Sequence, residues 1–395
     1  MFESALIEHK LEKGTYRREE PELRAALLEA QLDLIAGKPF SAMVLVTGMD
    51  GAGKGAVIQR LLEWLDPRHV RVEAYGAPDD GERSRPPMWR YWRDLPAKGQ
   101  IGVIFGSWYT GPLHDRLSGD APKGRFERDL AAINRFEEML TGEGVLLLKF
   151  LLVLSAKEQE KRLDAFAERT GGASRALEEW ADIKRRKRVR PILEEFVRRT
   201  STDVAPWIVL PCDDPDYRDL AFGRAILAAL RERLARLAAS APSPAPAVIP
   251  NLDRRNALDS LDLSLALDDA AYKRRRDAGQ ARLLELTQGK PFRDRALMAA
   301  FEGHDAAGKG GAIRRVTAAL DPRMYRAYPI AAPTEEKARS YLWRLWRHMP
   351  RKGHAAIFDR SWYGRVLVQR VEGFATEAEW RRGYGEINDF EEDLS

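Results

Sequence analysis

Two lysines, Lys54 and Lys309, sit at the same place in two glycine-rich octapeptides, Gly48-Met49-Asp50-Gly51-Ala52-Gly53-Lys54-Gly55 and Gly303-His304-Asp305-Ala306-Ala307-Gly308-Lys309-Gly310. These residue types at this spacing make a phosphate cradle. Glycines let backbone N–H groups converge on anionic oxygens, a following helix N-terminus adds partial positive charge, and the lysine supplies a point charge. The chemistry they suit is the binding and transfer of phosphoryl groups. The residue after each lysine is Gly55 or Gly310, so the hydroxyl that the common G-x-x-x-x-G-K-[ST] form offers to Mg2+ is missing. Asp50 and Asp305, inside the loops, are the candidate replacements, because Mg2+ prefers carboxylate, water and phosphate oxygens.

A second motif separates the two loops' prospects. Residues 355–359 form an apolar run ending in Asp359, followed by Arg360-Ser361-Trp362-Tyr363-Gly364-Arg365. A carboxylate at a strand tip beside a phosphate loop is what a Walker B element requires, to hold Mg2+ directly or through water. The matching stretch earlier in the chain has Phe105 in place of Asp359, Gly106 in place of Arg360 and Gly111 in place of Arg365. It lacks one metal ligand and two arginines, and losing one transition-state arginine costs about 10³- to 10⁵-fold in phosphoryl transfer. The first copy is therefore expected to be catalytically dead while keeping Lys54 and its glycines for phosphate binding.

These motifs need elements to position them, and the chain supplies two sets. Gly37-Lys38-Pro39-Phe40 recurs as Gly289-Lys290-Pro291-Phe292, Leu65-Asp66-Pro67-Arg68 as Leu320-Asp321-Pro322-Arg323, and Trp89-Arg90-Tyr91-Trp92-Arg93 as Trp343-Arg344-Leu345-Trp346-Arg347. The offset is 252 positions for the first of these pairs and 254 or 255 from the phosphate loops onward. This is a duplicated domain rather than a short-period solenoid. Residues 239–250 are rich in Pro, Ala and Ser and read as an extended linker. The domains are then 1–238 and 251–395. Apolar runs at 43–46, 101–105, 145–154, 207–210 and 296–301 alternate with helical patterns such as 56–65 and 126–140. Alternating β and α units predict an α/β fold, with parallel sheets flanked by helices and the loops at the carboxyl ends of the strands. The second copy has no counterpart of residues 142–236, including the apolar run 145–154 and the basic run 184–190. The simplest expectation is a chain that stops short of the copy's end. The alternative is that the first copy or another subunit supplies the missing part.

Composition narrows the class. With 65 basic against 60 acidic residues the formal net charge is +5, which favours anionic partners only mildly. The run 145–154 is too short for a membrane span, and residues 1–4 lack the start of an export signal. Cys212 is the only cysteine, which rules out an intrachain disulfide and points to a reducing, cytoplasmic setting. The Trp-Arg clusters at 89–93 and 343–347 are expected to pack in helix interfaces, and nothing matches a nucleic-acid-binding pattern.

The run Gly303 to Gly311, the Asp359-Arg360-Ser361-Trp362-Tyr363 element and Glu386-Ile387-Asn388-Asp389-Phe390-Glu391 together resemble the polyphosphate kinase 2 family, and Ala205-Pro206-Trp207 is similar to that family's sequence after its lid. The resemblance extends over nearly the whole chain apart from linker and termini. It implies two tandem P-loop kinase-like domains, each with a helical lid, and a basic lid segment over the polyphosphate at the place of residues 184–190. For a tandem member it implies polyphosphate as donor, AMP as acceptor, ADP as product, a requirement for Mg2+ and an active C-terminal copy. Carried onto this chain, the amides of Gly303, Ala306, Ala307, Gly308 and Gly310 with Lys309 hold the phosphates. Asp305 and Asp359 position Mg2+, and Arg360 and Arg365 neutralise developing charge. Asp50, Lys54, Phe105 and Gly106 mark the degenerate copy. A homo-oligomer is expected, with neither nucleic acid nor membrane as a partner. A kinase that phosphorylates ADP or GDP, and a non-catalytic polyphosphate-binding protein, stand as alternatives.

Overall fold

The computed structural model describes residues 9–49, 51–120, 122–170, 183–239, 261–262, 264–304, 306–330 and 340–395. They divide into two compact units. The first is built mainly on residues 9–78 and 94–239, the second on Asp79–Arg93, residues 264–330 and Tyr341–Ser395.

The first unit is organised around a five-stranded parallel sheet in the order β2-β3-β1-β4-β5. Its strands are β1 (Ala42–Gly48), β2 (Val70–Ala74), β3 (Ile101–Phe105), β4 (Leu146–Val153) and β5 (Trp207–Pro211). The central strands β1, β3 and β4 are near-continuous apolar runs because helices cover both faces of the sheet, so alternation with polar residues is not needed. Val44, Val103 and Phe150 are fully buried. Helix Thr15–Gly37 buries Leu23, Leu27, Ala30 and Leu34, spaced at three and four residues, and packs along helix Pro215–Ala239. Each fully buried leucine contributes about 1.5–3 kcal/mol through area removed from water.

Lys149 reads as a break in the apolar run of β4, yet it is completely buried. Its ammonium donates to Glu137 Oε2 at 2.6 Å and to the Thr200 carbonyl. Glu137 also accepts from Trp108 Nε1 at 3.0 Å and from the Tyr109 hydroxyl. Burial pushes the Glu137 carboxyl up and the Lys149 ammonium down, against their mutual attraction. This polar knot joins β4 to helix Lys123–Gly142 and to the end of helix Ile183–Thr200. Residues 184–190, the basic run, begin that last helix, and their side chains lie outside the description.

The second unit carries a three-stranded parallel sheet in the order β6-β8-β7, with β6 Leu297–Phe301, β7 Tyr325–Pro329 and β8 Ala355–Asp359. Within this unit the short helices Trp89–Arg93 and Trp343–Trp346 pack together: Trp92 stacks on Trp346 with ring centroids 5.8 Å apart, and Trp343 Nε1 donates to the Arg93 carbonyl. The Trp-Arg clusters are thus helix-packing elements, as expected. In both units the strand before the phosphate loop pairs with the strand carrying the second motif, Val46 opposite Phe105 and Phe301 opposite Asp359. Register alone therefore sets residue 359 beside the loop. No helix among the described residues is long and apolar enough to cross a membrane.

Candidate active site

The loop of the second unit leaves β6 and enters helix Lys309–Thr317 through Gly308, whose φ of 90° is left-handed and costs glycine nothing. Lys309 Nζ folds back over the loop and donates to the carbonyls of Gly303 at 2.7 Å and His304 at 3.0 Å. Across the sheet, Asp359 ends β8, half-buried, after the fully enclosed Ile357 and Phe358. An open cleft of about 390 Å³ is lined by Ala306, Gly308, Lys309, Gly310, Asp359 and Arg360. The structure therefore brings together the phosphate loop, the strand-tip carboxylate and one arginine that the sequence nominated. Two of the three described non-glycine residues with positive φ, Ala306 at 65° and Arg360 at 64°, line this cleft. Backbone strain of that kind gathers where function requires a fixed geometry.

A helix N-terminus, a lysine and an arginine around one cleft make a site for several anionic oxygens. The hard carboxylate of Asp359 at its edge suits an oxygen-ligated divalent cation. Among the described residues no three His, Cys, Asp or Glu side chains cluster as a ready-made cage, so such an ion would complete its shell from phosphate and water. Asp305 and its counterpart Asp50 lie outside the described residues.

Arg365 is placed differently from the expectation. It is not among the residues lining the cleft but is buried, with its guanidinium over the Tyr341 ring at 4.3 Å and Glu379 at 4.0 Å. Gly383 makes this possible, since a Cβ there would come within 2.8 Å of Arg365 Cγ. Tyr363 likewise turns inward: its hydroxyl and Trp362 Nε1 both donate to Glu391 Oε1. That bond, then burial, raises the Tyr363 hydroxyl above its ordinary value.

Sequence reasoning missed Glu302. Its Oε1 accepts both the Ser361 backbone N–H and the Ser361 hydroxyl, each at 2.7 Å. The signal was available in the comparison of the copies, because the same position in the first copy is Thr47.

In the first unit the loop has the same geometry. Gly53 has φ 89°, and Lys54 Nζ donates to the Gly48 carbonyl at 2.8 Å. The second motif is not the same. Phe105 packs against the apolar core, and Gly106, with φ 75°, passes so close to β2 that a Cβ would stand 2.2 Å from the Tyr75 carbonyl oxygen. Gly111 lies in helix Thr110–Ser118. Arg162 donates to the Gly51 carbonyl at 2.9 Å, and the Arg218 guanidinium, paired with Asp219 at 2.7 Å, lies against Gly53. The loop survives without the carboxylate and arginine that face it in the other unit.

Residues 10–237 and 266–395 each match the sequence profile of the family described as polyphosphate kinase 2. A polyphosphate:AMP phosphotransferase from Pseudomonas aeruginosa is 49% identical, the match covering 100% of this chain and 80% of that protein. A protein of the same description from Acinetobacter johnsonii is 38% identical over 95% of this chain and 77% of its own length. Among solved structures, a polyphosphate kinase 2 from Pseudomonas aeruginosa superposes with a TM-score of 0.88 at 47% identity, covering 100% of this chain and 79% of that one.

Proposed function

The chain belongs to the polyphosphate kinase 2 family, and from that premise we propose that it transfers the terminal phosphoryl group of inorganic polyphosphate to AMP, giving ADP, in the second copy's cleft. The observation that carries the placement is the convergence of Lys309, Asp359 and Arg360 on one cleft, against Phe105 and Gly106 at the equivalent places of the first unit. The relatives named for AMP as acceptor support the choice of substrate.

An α-phosphate oxygen of AMP attacks the terminal phosphorus of polyphosphate. The new P–O bond forms as the bond to the penultimate phosphate breaks, and its electron pair leaves on that phosphate, shortening the chain by one unit. The attacking oxygen is already anionic near neutral pH, so no general base is required. Lys309 and the loop amides fix the donor's terminal phosphates, and Arg360 faces the oxygens where charge builds. A Mg2+ held by Asp359 and Asp305 would neutralise phosphate charge at the same place. Arg365, packed on Tyr341, braces helix Glu377–Leu394 behind the site and takes no part in transfer in this reading. We place the reaction in the cytoplasm, in keeping with a single, buried, free thiol at Cys212.

The test is ADP formation from AMP, long-chain polyphosphate and Mg2+, with ADP and GDP offered as competing acceptors. Asp359→Asn is expected to lower the rate by about 10³-fold or more. Transfer at the parent rate in that variant would remove the second copy as the site, and polyphosphate binding without ADP formation would leave a binding protein.

A further inference from the structure

The geometry points to Glu302 as a positioning residue for phosphoryl transfer: its carboxylate clamps the turn that presents Asp359 and Arg360 to the phosphates. This rests on the second copy being the site of chemistry. Glu302 follows β6 and precedes Gly303 of the phosphate loop, while Ser361 follows Arg360 on the neighbouring strand's end. One carboxylate oxygen, Oε1, takes both the Ser361 N–H and its hydroxyl at 2.7 Å, and Arg360 N–H donates to the Phe301 carbonyl at 3.0 Å. Three hydrogen bonds thus tie the two motifs together at the residues where they leave the sheet. Bonds to an ionised acceptor are the stronger class. They are placed next to the one residue of the turn that has an unfavourable backbone, Arg360 at φ 64°. Without the clamp an arginine there gains by relaxing toward negative φ, which would swing its guanidinium and the adjoining Asp359 away from the cleft.

The first copy supplies an independent observation. Its turn has the same left-handed shape at Gly106, φ 75°, which glycine adopts without strain. There Thr47 stands in place of Glu302, and buried Ser107 makes only a local contact, its hydroxyl accepting from Tyr109 N–H at 3.4 Å. The strained arginine and the carboxylate that restrains it are absent together. A carboxylate kept only for the stability of the fold would not be expected to follow the arginine in this way.

The experiment is steady-state kinetics of ADP formation in the full chain, for Glu302→Ala, Glu302→Gln, Glu302→Asp and Lys309→Ala. Displacing a catalytic group by about 1 Å costs on the order of 100-fold, so Glu302→Ala should lower kcat by about that factor with KM for AMP within about threefold. Glu302→Gln keeps an oxygen that accepts both bonds and should recover kcat to within about tenfold of the parent. If Glu302→Ala does not fold, Glu302→Asp, one methylene short of Ser361, carries the same expected loss. Parent-like kcat in Glu302→Ala or Glu302→Asp, or a Glu302→Gln variant no better than alanine, overturns the clamp. Lys309→Ala separates the two levels of argument. If it is silent while Glu302→Ala is active, only the clamp fails. If Lys309→Ala is itself active, the second copy is not the site and the clamp falls with it.

Discussion

Arg360 holds a left-handed backbone, φ 64°, and lines the cleft. Replacing it with alanine and with glycine separates those two properties. A non-glycine residue in this region costs roughly 1–2 kcal/mol. Glycine removes that cost but adds about 0.4–1 kcal/mol through the greater freedom of the unfolded chain. Arg360→Gly should therefore be more stable than Arg360→Ala by about 1 kcal/mol, a rise of about 2–4 °C in the unfolding midpoint. The first copy, with Gly106 at this position and φ 75°, already shows the relaxed form. Both variants remove the guanidinium, so both should lose about 10³-fold or more of transfer. Thermal unfolding followed by circular dichroism, beside ADP formation from AMP and polyphosphate, reads both effects. Equal midpoints for the two variants would refute the strain argument, and transfer within about tenfold of the parent in either would refute the role of the side chain.

Restoring the arginine to the first copy should fail. Gly106→Arg places a Cβ 2.2 Å from the Tyr75 carbonyl at a left-handed φ, so urea unfolding should show a loss of about 2–5 kcal/mol, and no transfer should appear when Lys309 is replaced by alanine. Lys149→Met strands the Glu137 carboxylate beside Trp108 and Tyr109, which should cost about 3–5 kcal/mol, while adding Glu137→Gln should return most of it. The single variant's penalty has a predicted pH dependence. Burial holds the Glu137 pKa above its ordinary 4.5 in the folded state, so folding favours the protonated form. That contribution is fully present below the unfolded value and is lost as pH rises through the folded one, so the penalty should grow as pH rises above the ordinary carboxylate range. A pH-independent penalty would contradict a stranded charge.

The central strands of the first unit were legible because both faces of its parallel sheet are covered, leaving plain apolar runs such as 101–105. Strands β2 and β7 were not, because Val70–Ala74 and Tyr325–Pro329 lie at sheet edges, half-buried and interleaved with Arg71, Glu73 and Arg326. Lys309, Asp359 and Arg360 could be assembled from two motifs because strand register places the motifs side by side. Arg365 could not be placed from sequence, since its inward course depends on the space left by Gly383 and on the ring of Tyr341. Glu302 and the Lys149–Glu137 pair share another cause. A charged residue next to an apolar run reads as an interruption, and only a partner distant in sequence, Ser361 or Glu137, reveals it as an organised contact.

The central claim is that two loops of equal geometry differ in function because only one has the strand-tip carboxylate and arginine, Asp359 and Arg360, beside it. Lys309→Ala and Lys54→Ala, assayed side by side for ADP formation from AMP, polyphosphate and Mg2+, test it most directly. The account predicts loss of transfer by about 10³-fold or more in Lys309→Ala and a rate within about threefold of the parent in Lys54→Ala. Loss of transfer in Lys54→Ala with Lys309→Ala still active would contradict it.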